Sequence, residues 1–312
     1  MSRPLIAVLG PTGSGKSGLA IHLARCFGGE VINCDSVQVY RGFNIGTAKA
    51  AVEERGQVPH HLIDIRDPHE VFTAGDFARC ARETMAGIAL PILAGGTGFY
   101  VRALLEGLFA GPERNEALRA KLLDRQRRRP ASVHRILGRL DPVAAARIHP
   151  NDVNKAIRAV EIAVSARKPM SELFKSGRDG LKGYECLSLG LNPLRGELYS
   201  RLDERTAKMF ASGLVDEVRN LLERGVPPSA KPFESLGYSQ ALRLVRGEIT
   251  QDQAVSETQL RTRQYAKRQW TWFRRQAGMV WLDGFGTDPA VMDQAEKKAA
   301  AFLEHFLTPS VL

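Results

Sequence analysis

Residues 10–17 read GPTGSGKS and lie between an apolar run and a segment with helical spacing. The run Leu5–Leu9 predicts a short buried strand, and Ser17–Phe27 predicts a helix that stops at two glycines. A loop of the form G-x-x-x-x-G-K-S between a strand and a helix is the phosphate-binding P-loop. Because this loop requires both neighbours, it commits the first part of the chain to an α/β fold.

Each residue type in the loop has a chemical reason. Glycines let the backbone turn so that successive N–H groups point inward, and the helix adds its positive N-terminal end. Lys16 can reach the outer phosphate, and Ser17 can ligate Mg²⁺. The predicted diphosphate- or nucleotide-binding residues are Gly10, Pro11, Thr12, Gly13, Ser14, Gly15, Lys16 and Ser17.

Further strands alternate with helices along the chain. Strands are predicted at Glu30–Cys34, His61–Ile65, Leu90–Ala94, Tyr184–Leu191 and Met279–Leu282, with helices at Ala74–Ala89, from Arg195, and from about Thr250 to Arg275. We therefore expect a P-loop NTPase-like α/β core, in which a parallel sheet is flanked by helices.

The positive charge of the chain is concentrated in one segment. The chain carries 44 Lys and Arg against 34 Asp and Glu, and residues 114–182 carry 17 against 7, which is the whole excess of +10. This segment shows only helical periodicity. We predict a basic helical insertion domain at 114–182 and a core domain formed by 1–113 and 183–312. One-sided charge favours a polyanionic partner over a plain solvated surface.

The cysteines and the apolar segments indicate the compartment. Cys26, Cys34, Cys80 and Cys186 are scattered, so we expect free reduced thiols rather than zinc ligands or disulfides. The first residues do not form a signal peptide, and no apolar stretch is long enough to span a bilayer. We expect a cytoplasmic protein with no membrane partner.

One carboxylate is well placed to act beside the P-loop. ATPases and GTPases use an acid that closes an apolar strand to hold Mg²⁺, but glycines follow Leu90–Ala94, and Asp64 lies inside its predicted strand. Asp35 follows a strand directly, so we expect it at the carboxyl edge of the sheet, facing the same crevice as the loop. There it can act as a general base, join a metal shell, or cap a turn with its side chain.

Five stretches of this sequence resemble one family. They are GPTGSGKS (10–17), DSVQVYRGFNIGTAK (35–49), AGGTGFYVRAL (94–104), DPVAAARIHPND (141–152) and TRQYAKRQWTWFR (262–274). In this order, and over residues 5–282, the chain resembles the bacterial-type tRNA dimethylallyltransferases, also called tRNA isopentenyltransferases. We expect the compact form, without the C-terminal zinc-finger extension of eukaryotic relatives.

The resemblance implies a reaction. The P-loop would hold the diphosphate of dimethylallyl diphosphate instead of ATP. The N6 amine of the adenosine just 3′ of the anticodon in tRNA would attack the allylic carbon, and pyrophosphate would leave. The implied cofactor is Mg²⁺, the implied partner is the tRNA anticodon stem-loop, and we expect a monomer. No hydrolytic water is needed, which agrees with the missing strand-end acid.

The resemblance also implies roles for single residues. Asp35 would accept the N6 proton, and Thr97 and Arg205 would contact the diphosphate, so these three are the catalytic candidates. Arg205 is by itself also typical of an exposed helix surface. Gln38 suits adenine, because an amide pairs with both a donor and an acceptor edge.

The family stretches that contact tRNA imply a binding surface. Its candidates are Asp35, Ser36, Val37, Gln38 and Thr97; Arg119; Asn154, Lys155, Ala156, Ile157 and Arg158; Glu234, Ser235, Leu236, Gly237, Tyr238 and Ser239; and Lys267, Arg268, Gln269, Trp270, Thr271, Trp272, Phe273 and Arg274. Cations would hold the RNA backbone, and aromatic rings would stack on bases. Trp270 and Phe273 more naturally face the core. Lys155 stands where the family usually has arginine, so we expect a weaker phosphate contact there.

Two other functions stay open from the residues alone. The first is a P-loop kinase for a small molecule or nucleoside, with Asp35 as base and the insertion as a lid. The second is an RNA-binding protein without activity that retains a relic P-loop.

Overall fold

The computed structural model describes residues 2–49, 55–56, 58–109, 111–174 and 177–307. The chain divides into two compact units. The core unit comprises residues 1–105 and 181–312, and the helical unit comprises residues 106–180. The helical unit and the expected insertion share residues 114–180, and the domain boundaries inferred from the sequence stay a prediction.

Six strands of the core unit form one sheet in which all neighbouring strands are parallel. They are β1 (Arg3–Leu9), β2 (Glu30–Asn33), β3 (His60–His61), β4 (Pro91–Gly95), β5 (Tyr184–Leu191) and β6 (Met279–Leu282). Their order across the sheet is β3-β2-β4-β1-β5-β6. The predicted parallel sheet is confirmed.

Helices flank the sheet, as predicted. In the core unit they are α1 (Lys16–Phe27), α2 (Ala74–Ala86), α3 (Gly98–Leu105), α9 (Arg195–Ala211), α10 (Leu214–Glu223), α11 (Tyr238–Val245), α12 (Gln251–Phe273) and α13 (Pro289–Leu307), with a 3₁₀ turn at Lys231–Glu234. In the helical unit they are α4 (Glu116–Arg128), α5 (Ser132–Leu140), α6 (Pro142–Arg147), α7 (Val153–Ala166) and α8 (Met170–Leu173).

The strand that leads into the P-loop lies inside the sheet. Ile6 of β1 is in register with Ile92 of β4 on one side and with Leu187 of β5 on the other. After β1 the chain skips the position of β4 and forms β2 on one side of β1, whereas after β4 it continues to β5 on the other side of β1. The connections therefore run in opposite directions from the middle of the sheet. In open parallel sheets, ligands bind at such a point, outside the carboxyl ends of the strands.

α1 and α13 pack together on the sheet. Leu19 and Leu23 of α1 and Ala295 and Ala299 of α13 lie in one buried cluster with residues of β1. All four residues are leucine or alanine, which pack closely and bring no side-chain polar atoms that need hydrogen bonds. The start of α1 is therefore anchored by its own buried face.

The helical unit has its own core. Leu122, Val133, Leu137, Ile157 and Val160 form a buried cluster drawn from α4, α5 and α7. These positions follow the helical periodicity that the sequence shows. Among the helices in the described ranges, none combines the length and the apolar character that crossing a membrane requires.

The strand predicted at His61–Ile65 is shorter than expected. β3 ends at His61, because Leu62 and Asp64 adopt the left-handed region with φ of 61° and 56°. The Asp64 carboxylate accepts from Lys49 Nζ at 2.6 Å and pairs with Arg55 at 3.2 Å. The apolar letters of HLIDI therefore belong mostly to a turn that two ion pairs hold.

Candidate active site

The P-loop follows β1 and has the backbone of a phosphate cradle. Gly15 has φ 87° and immediately precedes α1, which begins at Lys16. A Cβ at this position would lie 2.9 Å from the backbone nitrogen of Gly286, so both the conformation and the space require glycine. The first turn of α1 leaves backbone N–H groups without intrahelical partners at the positive end of the helix. This end of α1 can bind an anion.

Ser14 lies inside the cradle. Its carbonyl accepts from the Gly286 N–H at 2.8 Å, which holds the loop from behind. Its hydroxyl oxygen is buried and has no hydrogen-bond partner among the described residues. A buried hydroxyl without a partner is unfavourable, so a bound phosphate oxygen that accepts from it would relieve this cost.

Lys16 curls across the loop. Its Nζ donates to the Pro11 carbonyl at 2.7 Å. Desolvation by burial, together with the nearby Arg205 guanidinium, lowers the pKa of Lys16 to about 7, against the opposing effect of the Asp35 carboxylate. Two close cations in a desolvated place repel each other, and an anionic ligand between them would remove that repulsion.

Arg205 reaches the loop from α9. Its guanidinium donates to the Thr12 hydroxyl at 2.9 Å, and its Nε is buried without a partner among the described residues. Burial lowers the pKa of Arg205, and Asp35 acts in the opposite direction. Of the two interpretations of this residue, the structure favours a place beside the loop over an exposed helix surface.

Asp35 both caps a turn and faces the cations. Its Oδ1 accepts from the N–H groups of Val37 at 2.8 Å and Gln38 at 3.2 Å. Its Oδ2 has no hydrogen-bond partner among the described residues, and the side chain is half-buried. The carboxylate interacts electrostatically with Lys16 and Arg205. One oxygen therefore holds the turn, and the other is available to a ligand.

Thr97 ties the loop after β4 to the loop after β2. Its hydroxyl oxygen accepts from the Ser36 N–H at 3.3 Å, and its own N–H donates to the Cys34 carbonyl at 3.4 Å. The strand ends approach so closely that a Cβ on Gly95 would lie 2.2 Å from that carbonyl oxygen. The structure thus brings Asp35, Thr97, Arg205 and the P-loop to one edge of the sheet.

Gln269 of α12 is buried between two of these loops. Its Oε1 accepts from the Thr12 N–H at 2.8 Å, and its Nε2 donates to the Gly96 carbonyl at 2.8 Å. The resemblance implies tRNA contact for the stretch that contains Gln269, and the neighbouring residues in the sequence do not predict contact with the P-loop. Its position makes it a positioning residue for the loop.

Tyr265 is a second residue of α12 that the sequence did not place at the site. Burial and the nearby Asp35 carboxylate raise the pKa of its phenol to about 12, while Arg268 acts in the opposite direction. The Arg268 guanidinium lies 5.8 Å from the centre of the ring. Tyr265 lies four residues before Gln269, on the same face of α12.

The tRNA-binding candidates on α12 and at its end, residues 267–274, differ in solvent exposure. Lys267, Arg268, Thr271 and Arg274 are exposed, Trp272 is half-buried, and Gln269, Trp270 and Phe273 are buried. An open depression of about 480 Å³ lies on the exposed side, and its lining is Gln264, Lys267, Arg268, Thr271, Trp272 and Arg275. This face offers cations around an indole ring, the combination that suits single-stranded nucleic acid.

The candidates at 234–239 lie next to the loop that follows Asp35. Glu234 is exposed and pairs with Lys231, and Ser235, Leu236 and Ser239 are half-buried. Gly237 and Tyr238 are buried, and the Tyr238 hydroxyl donates to Glu217 and accepts from the Gly46 N–H at 3.1 Å.

Glu217 also accepts from the N–H groups of Asn44 and Ile45. Gln38 donates from Nε2 to the Thr47 carbonyl at 3.0 Å. Tyr238, Glu217 and Gln38 therefore hold this segment of backbone in place.

In the helical unit, two candidate arginines contact a buried acid. Glu161 is fully buried, and it pairs with Arg158 at 2.7 Å and with Arg119 at 3.4 Å. Burial raises the pKa of Glu161, but hydrogen bonds from Arg158 and the Asn115 N–H outweigh this effect, so the pKa is lowered. The other candidates on α7 are Asn154 and Lys155, which are exposed, and Ala156 and Ile157, which are buried.

The loop and the six-stranded sheet define the class of this protein: it has a P-loop NTPase-like α/β core with helices appended. The family model described as IPP transferase matches residues 38–276. A tRNA dimethylallyltransferase of Solibacter usitatus (strain Ellin6076) is 57% identical over 304 residues, which cover 96% of this chain and 99% of the relative. The chain belongs to the IPP transferase family.

Solved structures agree. The tRNA isopentenylpyrophosphate transferase of Bacillus halodurans matches with a TM-score of 0.72 at 36% identity, covering 97% of each chain. A eukaryotic dimethylallyltransferase acting on tRNA matches with a TM-score of 0.82 at 28% identity, covering 100% of this chain and 81% of that one. The resemblance found in the sequence, and the P-loop NTPase-like fold expected from it, are confirmed.

Proposed function

We propose that this enzyme transfers a dimethylallyl group from dimethylallyl diphosphate to N6 of the adenosine 3′-adjacent to the anticodon in tRNA, with release of pyrophosphate. The observation that carries the proposal is the free Oδ2 of Asp35 beside the desolvated cations Lys16 and Arg205. A base next to a diphosphate cradle fits a transfer in which the diphosphate is the leaving group. The names of the relatives support the same reaction.

The cradle would bind and activate the donor. Lys16 and Arg205 would hold the two phosphates, and the Ser14 hydroxyl would donate to a phosphate oxygen. Negative charge grows on the diphosphate as the allylic C–O bond breaks, and fixed cations in a desolvated site stabilise that charge without reorganising. Thr97, hydrogen-bonded to Ser36, would place its own hydroxyl proton toward the same oxygens.

Ser17 is the residue that fits a magnesium ion. Its side chain is exposed on the first turn of α1, and a hydroxyl is a hard oxygen donor. A single protein ligand is typical of Mg²⁺ that keeps most of its waters and takes phosphate oxygens from the substrate. When bound, Mg²⁺ supplies further charge neutralisation for the departing pyrophosphate.

Asp35 would remove the proton that the reaction releases. As the N6–C bond forms and the C–O bond breaks, the amine nitrogen becomes positive, and Oδ2 accepts one of its protons. The Oδ1 hydrogen bonds to Val37 and Gln38 keep the carboxylate in place while this happens. The target base has to leave its stack to reach the site.

The tRNA would bind through exposed cations. On the core unit these are Lys267, Arg268 and Arg274, and on the helical unit the exposed cation is Lys155, beside the exposed amide of Asn154. The buried members of the family stretches would act by shaping the site. Because the residues of the cradle all come from one chain, we expect a monomer to carry out the reaction, and a tRNA substrate fits a cytoplasmic enzyme.

The direct test is transfer of label from radioactive dimethylallyl diphosphate to an unmodified tRNA transcript. We expect label in the wild-type transcript and none in a transcript with guanosine in place of the target adenosine. Asp35→Asn should fold and fail to transfer. No label in any tRNA, together with ATP consumption in the presence of a small acceptor, would instead support a kinase.

A further inference from the structure

A cluster of metal-binding side chains lies outside the site described above. His22 and Cys26 are one turn apart on α1, and Glu296 faces them from α13. One ligand atom from each residue lies within 4.8 Å of the other two. An imidazole, a thiol and a carboxylate are the donor types that zinc takes in proteins.

The distances among the three ligand atoms match a tetrahedral metal site. His22 Nε2 lies 3.2 Å from Glu296 Oε2, and Cys26 Sγ lies 3.7 Å from each of those two atoms. With zinc–ligand bonds of about 2.0–2.3 Å at the tetrahedral angle, ligand atoms are separated by about 3.3–3.6 Å. The triangle is therefore within about 0.2 Å of the size that zinc requires.

The cluster is held in place by helix packing. His22 and Cys26 are at i and i+4, so they share a face of α1. That face adjoins the buried seam in which Leu23 of α1 packs with Ala295 and Ala299 of α13. The seam fixes the two helices against each other, so binding a metal requires little rearrangement of the backbone.

We propose that His22, Cys26 and Glu296 bind one zinc ion, with water in the fourth position. In the metal-free protein the Cys26 thiol donates to the Glu296 carboxylate. Zinc binds the thiolate, so the thiol proton is released to solvent and the carboxylate turns to the metal. The sequence predicts Cys26 to be a free reduced thiol, because the four cysteines are scattered along the chain and show no C-x-x-C spacing.

Zinc at this position would link two helices. α1 begins at the P-loop, and α13 is the last helix in the part of the chain that the structure describes. A ligand that binds only the folded protein stabilises it by mass action. We therefore expect zinc to raise the thermal midpoint of unfolding, and this proposal does not depend on the transfer reaction.

The test uses the full chain after metal is removed with a chelator. Cobalt(II) is added as a spectroscopic probe, since tetrahedral thiolate-bound cobalt gives visible d–d bands and a near-ultraviolet charge-transfer band. We expect one cobalt per chain, full displacement by zinc, and a zinc-dependent rise in the unfolding midpoint. Cys26→Ser should abolish the charge-transfer band and weaken zinc binding by about a hundredfold or more, because even residues that only orient a ligand contribute roughly 10- to 100-fold.

A matched control separates the site from general thiol binding. Cys80→Ser removes another free cysteine and should leave the cobalt spectrum and the zinc affinity unchanged. Glu296→Gln keeps the shape of its side chain and should still weaken zinc binding, with circular dichroism to show that it folds. Binding that is substoichiometric, or a spectrum that Cys26→Ser leaves intact, would overturn the proposal.

Discussion

The Gln269 side chain accepts a hydrogen bond from the Thr12 backbone N–H at 2.8 Å. The same amide donates to the Gly96 carbonyl at 2.8 Å, so one buried side chain fixes the P-loop relative to the loop after β4. Arg205 holds the neighbouring Thr12 hydroxyl from α9. The cradle is thus positioned by two helices that come much later in the chain than the loop itself.

Gln269→Ala should impair donor binding without unfolding the protein. It leaves the Gly96 carbonyl and the Thr12 N–H without partners, a cost of about 1–3 kcal/mol. We expect the P-loop to shift so that these groups find other partners, and the shifted loop binds the diphosphate less well. For a cost of this size, kcat/KM for the donor should fall about 10- to 100-fold. Steady-state kinetics, with separate KM and kcat, would measure this effect.

Gln259→Ala is the matched control for Gln269→Ala. Gln259 lies on the same helix and donates to the Asp203 carbonyl at 3.1 Å. No hydrogen bond among the described residues joins it to the P-loop. We expect unchanged kinetics for it. Equal losses in both variants, or a lowered unfolding midpoint that accounts for the loss in Gln269→Ala, would contradict a positioning role.

Asp35 has two roles that two substitutions separate. Asp35→Asn keeps an oxygen that can accept from Val37 and Gln38, while Asp35→Ala removes both the turn contact and the base. If proton removal is what matters, both variants should lose about 10²- to 10⁴-fold in kcat. Affinity for tRNA, measured by filter binding, should change little in Asp35→Asn. Near-normal turnover in Asp35→Asn would show that the carboxylate only holds the turn.

Affinity for tRNA should depend steeply on salt. With about six phosphate contacts, affinity falls about a thousandfold between about 50 and 200 mM salt, because counterions are released on binding. Arg268→Gln should reduce the slope by about one contact. Lys297→Gln removes an exposed cation of α13 that pairs with Asp293 and should leave the slope unchanged. A flat salt response would contradict the proposed cationic surface.

The stability of the helical unit should depend on pH through Glu161. Hydrogen bonds from Arg158 and the Asn115 N–H, which outweigh burial, lower the pKa of this carboxyl in the folded protein. A lowered folded pKa contributes stability above the unfolded value of about 4.3, and that contribution is lost as the pH falls through the folded pKa. Unfolding followed by circular dichroism over this range would measure the loss.

Glu161→Gln should remove that contribution. We expect a loss of about 2 kcal/mol at neutral pH, because two arginines lose a buried charged partner. The difference from the wild-type protein should shrink as the pH falls below about 4. Glu172→Gln changes an exposed residue of the same unit and should have no such effect. A difference that stays constant with pH would contradict the assignment.

Strand and helix positions were predictable where one short segment decides them. β1 and α1 came from an apolar run and helical spacing on either side of the P-loop. His61–Ile65 failed as a strand because Leu62 and Asp64 take positive φ, and Asp64 is held by Lys49 and Arg55. The apolar residues in this run of five suggest a strand, but they do not reveal that Asp64 pairs with residues elsewhere in the chain.

Residue roles were less predictable than elements. The resemblance implies tRNA contact for Arg119 and Arg158, and this stays a prediction; the structure shows that their guanidinium groups pair with the buried Glu161. Gln269 sits in a stretch of alternating cations and aromatics, yet its amide is buried against the P-loop. The presence of a charged or amide side chain in the sequence does not show whether it contacts solvent, a ligand or another side chain.

The sequence by itself determined the P-loop, the alternation of strands and helices, the basic segment and the family. All four are properties of contiguous residues, because backbone conformation and periodicity depend on near neighbours. Only the tertiary structure decided which side chains meet: Gln269 and Thr12 are 257 residues apart, and His22 and Glu296 are 274 apart. Such pairs arise from the packing of whole helices on a sheet, which no local pattern specifies.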